Sequence, residues 1–220
     1  FLIDDASTDP RISQLLAECP KRWTVVENEK NIGFVATANL GMTLADTDDV
    51  VLLNADAEVT HGWLDLLEEC MGSDHRIASV SPLTNHGEIA SIPVFCQANP
   101  YPNQPEAWAE ACVRSGALSA DPPIWCEVPT TIGFCMLIRR EAIQEVGYFD
   151  EQAFGLGYGE ENDWCQRARE ARWRHVLCDR AFVAHRGGAS FGPLGLAPGG
   201  EAMEVLRQRY PSYEHEVMQF

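Results

Sequence analysis

The stretch Val50-Val51-Leu52-Leu53-Asn54-Ala55-Asp56-Ala57-Glu58 decides the reading of this chain. Four apolar residues run directly into carboxylates. A buried strand that stops in acids places them at the C-terminal edge of a sheet, where open α/β folds bind ligands. Side chains at i and i+2 of an extended backbone point the same way, so Asp56 and Glu58 can face one hard divalent cation. Pooling carboxylates in an already anionic chain costs repulsion, which a bound metal relieves. The competing reading is a solvated strand-end turn.

Outward from this point, hydrophobic spacing predicts strands over 24–27, 50–53 and 77–80, and helices over 10–18, 34–44 and 62–71. Phe1-Leu2-Ile3-Asp4-Asp5 reads as a strand already in progress, so an excised piece lacking an earlier β-α unit is expected. The rhythm β-α-β-α-β-α-β implies an α/β fold, Rossmann-like, with a mostly parallel central sheet and helices on both faces. From 82 to 129 prolines break the rhythm, with one helical stretch near 106–115, and such a long excursion is usually functional. Regular patterning returns with a strand over 134–138 and a helix over 140–146 closed by Gly147. A glycine loop, Gly155-Leu156-Gly157-Tyr158-Gly159, leads into a helix over 160–171. Short strands over 175–178 and 181–184 precede the loop His185-Arg186-Gly187-Gly188-Ala189-Ser190.

Composition narrows the function classes. At 220 residues and 45 % hydrophobic content the chain suits one domain with a real core. The net charge of −17 argues against nucleic-acid binding and against a polybasic membrane-surface mode. The same charge repels an anionic ligand unless a cation intervenes, which favours a metal. No run approaches the roughly 20 apolar residues of a membrane span. The eight cysteines form no C-x-x-C pair, so neither a zinc ribbon nor a dithiol redox motif is supported, and a reduced cytoplasmic protein is expected.

Three further clusters can carry chemistry. Glu160, Glu161 and Asp163 open a helix directly after the glycine loop; they are either simple capping acids or a general base under a movable loop. On helical spacing 160 and 163 share a face and 161 points elsewhere. His185 stands at a strand end beside glycines and, if it meets Asp56 and Glu58, makes a mixed O/N site suited to Mn2+ or Mg2+. Asp4 and Asp5 end the first strand, where an acid can accept hydrogen bonds from a ribose or base edge. Asn31 and Asn39 are further polar contacts of the same kind.

Taken in order, these segments resemble the family 2 inverting glycosyltransferases of GT-A fold, with the flavour of the rhamnosyltransferase-like bacterial members. The resemblance is carried by Leu2-Ile3-Asp4-Asp5-Ala6-Ser7-Thr8-Asp9, by Asn31-Ile32-Gly33-Phe34 with Asn39-Leu40-Gly41, and by Leu52-Leu53-Asn54-Ala55-Asp56-Ala57-Glu58-Val59. It continues through Gly133-Phe134-Cys135-Met136-Leu137-Ile138, Val146-Gly147-Tyr148-Phe149-Asp150-Glu151, Gly159-Glu160-Glu161-Asn162-Asp163-Trp164 and Ala184-His185-Arg186-Gly187-Gly188. It implies transfer of a sugar from a nucleotide-diphosphate donor to a glycan or lipid-linked acceptor, with inversion, in polysaccharide biosynthesis. Asp4, Asp5, Asn31, Gly33 and Asn39 would then meet the nucleotide, and Asp56, Glu58 and His185 the metal or diphosphate. The base would come from Glu161, Glu160 or Asp163. Residues 1–81 would form the nucleotide and metal half, 82–192 the acceptor half and 193–220 a tail. Where the family usually has aspartate, this chain has Glu161; and the family's first nucleotide-binding strand does not precede Asp4. A non-catalytic nucleotide- or glycan-binding module is the alternative. A nucleotidylyltransferase would need an early glycine-rich phosphate loop, which the sequence lacks.

Overall fold

The computed structural model describes residues 1–118, 125–155, 157–187 and 201–220. The expectations for Pro122, Pro123, Leu156, Gly188, Ala189 and Ser190, and for the start of the tail, lie outside them.

The chain alternates strands and helices through its first half. These are β1 (Leu2–Asp4), α1 (Pro10–Ala17), β2 (Val25–Glu27), α2 (Phe34–Leu44), β3 (Val50–Leu53), β4 (Ala57–Val59), α3 (Trp63–Gly72) and β5 (Ile77–Leu83). A 3₁₀ turn (Glu88–Ala90) and α4 (Pro105–Ser115) follow, then β6 (Trp125–Val128), β7 (Cys135–Ile138), α5 (Arg140–Val146) and α6 (Glu151–Phe154). The second half closes with α7 (Glu160–Glu170), β8 (Arg174–His185), α8 (Glu201–Arg209) and α9 (Tyr213–Gln219).

The α/β class stands, but the sheet is mixed rather than mostly parallel. Its order is β3-β7-β5-β8-β4, with β6 also paired to β8. Only β5–β8 and the separate β1–β2 pair run parallel, whereas β7, β4 and β6 enter antiparallel. Alternating Pro and polar residues hide β6 in the sequence, and β4 is only three residues long, too short for a period to register. The two short strands expected near the end are one twelve-residue strand, β8. Its first part lies between β5 and β6 and its last part against β4.

Strand periodicity explains the two layers of core. Met136 and Ile138 of β7 join Val35, Met42 and Trp164 on one face, while Cys135 and Leu137 join Leu67, Met71 and Val183 on the other. α2, α5 and α7 thus cover one side of the sheet and α3 the opposite side. Trp164 is fully buried and its indole N–H donates to Gly147 O at 2.8 Å, which fixes α7 relative to the end of α5. From below, His175 of β8 reaches Cys165 O of α7 at 2.9 Å and Ser79 Oγ at 2.7 Å. Burial pushes the His175 imidazole down to about 3, so it is neutral. The helix that carries Glu160 and Glu161 is therefore held at its second turn, by Gly147 at Trp164 and by His175 at Cys165.

Candidate active site

The metal-side residues meet because of β8. Asp56 sits in the turn between β3 and β4, where Asn54 O accepts from Ala57 N at 3.1 Å. Ala57 pairs with His185 across the β4–β8 ladder, which brings the Asp56 carboxylate to the His185 ring. His185 Nε2 lies 3.3 Å from Asp56 Oδ1. The imidazole is held on every side. Its Nδ1 approaches His86 O at 2.7 Å, its ring stacks on Phe134 at 4.8 Å, and Asn85 clamps its backbone N–H and C=O at 2.8 and 2.9 Å.

This geometry sets the tautomer. A carbonyl can only accept, so Nδ1 carries the proton and Nε2 of the neutral ring presents a lone pair. That lone pair faces Asp56 Oδ1, which is buried and accepts no hydrogen bond among the described residues. A carboxylate oxygen and an imidazole nitrogen 3.3 Å apart on the cavity wall form a mixed donor set that suits Mn2+ or Mg2+. No group of three or more His, Cys, Asp or Glu side chains could hold a metal among the described residues. A hard cation held by only two side chains leaves positions for substrate phosphates and water, a common arrangement for Mg2+.

Glu58 does not join them. Asp56 precedes β4 rather than lying in it, so the i, i+2 relation fails. Glu58 turns instead to the Tyr101 hydroxyl, whose ring carries the Arg186 guanidinium at 4.2 Å.

A cavity of about 600 Å³ runs from Asp56 and His185 to the start of α7, where Glu160 and Glu161 line it. Gly159, with φ of +96°, turns the chain into α7; a Cβ there would lie 3.0 Å from Phe154, so glycine allows the close approach. Glu160 is 3 % exposed, and Oε2 of both glutamates is buried without a hydrogen-bond partner. Burial pushes both carboxyls up, Glu160 well above the usual range; the charge of Glu161 adds to this at Glu160, and that of Glu88 at Glu161. The larger rise at Glu160 favours the proton there and the charge on Glu161.

Asp163 is not at the cavity. Its fully buried carboxylate takes Arg167 Nε at 2.8 Å, Arg209 at 2.7 Å and the Tyr210 hydroxyl at 3.0 Å. It ties α7 to α8 and is not available as a base. The shared-face argument for 160 and 163 fails because the cavity meets the helix end-on, where 160 and 161 both face it.

The nucleotide-side residues divide in the same way. Asp5 accepts from Asn28 at 2.8 Å and from the N–H groups of Ile32 and Gly33 at 2.9 Å each. Burial raises its carboxyl, but these hydrogen bonds outweigh it and the net shift is downward. Asn31 donates to Asp5 O at 3.1 Å, so Asp5, Asn31 and Gly33 knit β1 to the loop before α2. Asn39 is buried and spends its amide on Phe149 and Glu151, a structural link between α2 and α6. Asp4 is different: among the described residues its carboxylate accepts only from Ser7 N, at 3.2 and 3.3 Å, and keeps lone pairs to offer.

Sequence reasoning missed Asn85, His86 and Glu88, all three in the polar run that ends β5. The signal was present. Thr84-Asn85-His86-Gly87-Glu88 terminates an apolar strand just as Asn54 to Glu58 terminates β3.

Comparison with known proteins follows this geometry. A family model described as "Glycosyl transferase family 2" matches residues 1–147. Human polypeptide N-acetylgalactosaminyltransferase 3 is 26 % identical over 169 residues, covering 69 % of this chain and 26 % of that protein. N-acetylglucosaminyl-diphospho-decaprenol L-rhamnosyltransferase of Mycobacterium tuberculosis is 25 % identical over 221 residues, covering 87 % of this chain and 67 % of that protein. A crystal structure of GalNAc-T7 with UDP, GalNAc and Mn2+ superposes with a TM-score of 0.66 at 18 % identity, over 97 % of this chain and 42 % of that one. The chain therefore spans about a quarter of the length of the human relative.

Proposed function

The chain belongs to glycosyl transferase family 2, and from that premise we propose that it moves a sugar from a nucleotide-diphosphate donor to an acceptor hydroxyl, with inversion. The observation that carries the reading is one cavity with the Asp56–His185 pair at one end and two glutamates with buried, unpartnered oxygens at the other. The GalNAc-T7 structure holding UDP and Mn2+, and the rhamnosyltransferase relative whose name specifies a lipid-linked acceptor, support the donor and acceptor classes.

The chemistry requires one base in line with the anomeric carbon. Glu161, the charged member of the pair, takes the acceptor proton as the acceptor oxygen bonds to that carbon. The bond between the anomeric carbon and the diphosphate oxygen breaks, and its electrons leave on the diphosphate. Glu160 keeps its proton and donates a hydrogen bond to Glu161, which orients the base and limits its basicity. Burial of the pair keeps Glu161 a stronger base than a solvated glutamate. Mn2+ or Mg2+ held by Asp56 and His185 would supply positive charge for the leaving diphosphate. Asp4, with its free lone pairs, is the acid of the β1 end best placed to meet the nucleotide.

The test is turnover of nucleotide sugars by the wild type and by Glu161→Gln. General-base loss costs about 10²- to 10⁴-fold in kcat. A Glu161→Gln protein with undiminished transfer contradicts the assignment.

A further inference from the structure

We propose that Glu88 is an acceptor-contacting residue that, on the cavity wall it shares with Glu160 and Glu161, disfavours an acceptor sugar ring carrying a carboxylate. The proposal rests on the sugar-transfer reading above and deepens it.

Glu88 is presented to the cavity by a turn that only a particular sequence tolerates. A Cβ on Gly87 would sit 2.5 Å from Cγ2 of Thr84, a fully buried β-branched residue with no room to retreat. Glu88 itself has φ of +46°, an uncommon conformation for a residue with a side chain. The result is a carboxylate on the wall of the cavity that Glu160 and Glu161 line. Among the described residues Glu88 has no hydrogen-bond partner or ion pair for its side chain, and its charge reaches Glu161 across the cavity wall. Its side chain is exposed at the rim of the cavity, where the surrounding protein still desolvates its carboxyl enough to raise it.

The cavity's charges are one-sided. Asp56, Glu88, Glu160, Glu161 and Glu214 line it against a single arginine, Arg207, among the described residues. Arg207 is already spent, because its Nε and a terminal nitrogen donate to Glu214 at 3.1 and 2.9 Å. His185 faces Asp56 at the other end. Among the described residues no unspent arginine or lysine lines the cavity beside Glu88 and the orphaned Oε2 atoms of Glu160 and Glu161 to receive an anionic substituent. Sugar hydroxyls satisfy these acceptors, since each O–H can donate to a carboxylate oxygen. A uronic acid offers a carboxylate there instead, and so meets repulsion on entry. Specificity here comes from a built-in repulsive element as much as from attraction.

The experiment is ligand-observed saturation-transfer NMR on the full chain. The probes are methyl glycosides of glucose, galactose, N-acetylglucosamine and rhamnose, compared with those of glucuronic and galacturonic acid at neutral pH. At least one neutral glycoside should bind, with both uronates at least tenfold weaker than their neutral counterparts. Glu88→Gln should narrow that gap several-fold, whereas Glu88→Asp, which keeps the charge, should preserve it. Equal binding of uronate and neutral sugar by the wild type overturns the proposal. So does unchanged discrimination in a folded Glu88→Gln protein, or no binding of any neutral glycoside. A nucleotide-sugar turnover assay run beside it separates the two readings. Turnover without discrimination sinks the Glu88 assignment alone, and discrimination without turnover upholds Glu88 and sinks the transferase reading.

Discussion

Glu160→Gln should make the protein more stable at alkaline pH while leaving it folded and active. Glu160 is 3 % exposed, and its Oε2 and that of Glu161 are buried without partners. Both folded-state carboxyls are raised by burial, Glu160 further by the charge of Glu161 and Glu161 by that of Glu88. The sign follows from linkage: their contribution to stability is fully present below the unfolded glutamate value and is lost as pH rises through the folded ones. Glutamine replaces the shared proton with a permanent N–H donor to Glu161, so that loss no longer occurs at residue 160. An unsatisfied buried polar group costs about 1–3 kcal/mol. The variant should gain roughly that amount at pH 8 and nothing at pH 4, where the wild-type pair is protonated. For a chain of this size each kcal/mol moves Tm by about 2–4 °C. Urea titrations and thermal melts of both proteins at the two pH values measure the difference directly. A gain that is equal at pH 4 and pH 8, or a loss at pH 8, refutes the shared-proton account.

Other perturbations reach the elements that support the site. Asp163→Asn leaves Arg167 and Arg209 facing a neutral amide and should destabilise the fold by about 3–5 kcal/mol, read by urea titration. His175, held neutral with its value pushed down to about 3, should make stability fall as pH drops from 6.5 towards 3, by at most about 5 kcal/mol; a His175→Gln protein that still folds should lose that acid limb. Asn85→Ala frees the backbone clamp on His185 and should weaken Mn2+-dependent nucleotide binding about 10- to 100-fold, measured by calorimetry, while the unpartnered N–H and C=O of His185 cost about 1–3 kcal/mol of stability.

What the sequence disclosed, and what it withheld, follows physical lines. The strand Val50–Leu53 and the helices 34–44 and 62–71 were legible because an apolar period survives in each. The direction of β7 was not, since a four-residue apolar run is the same read either way. Asp56 and His185 were legible singly as strand-end residues, but their meeting depends on β4 pairing with the far end of β8. Glu160 and Glu161 announced themselves as helix-start acids. Their separation from Asp163 depends on where Arg209 of α8 lies, which no local spacing encodes. Asp5 and Asn39 show the same limit: each has the residue type of a ligand contact, and each is consumed by a partner distant in sequence.

The central claim is that Asp56 and His185 hold a cation for a nucleotide diphosphate in the cavity that Glu161 serves as base. Thermal stabilisation by UDP, dTDP and GDP, each with and without Mn2+, in the wild type and in Asp56→Ala, tests it most directly. The account predicts a Mn2+-dependent rise in Tm for one nucleotide, absent in the variant. A rise that needs no metal, or one that survives in Asp56→Ala, contradicts it.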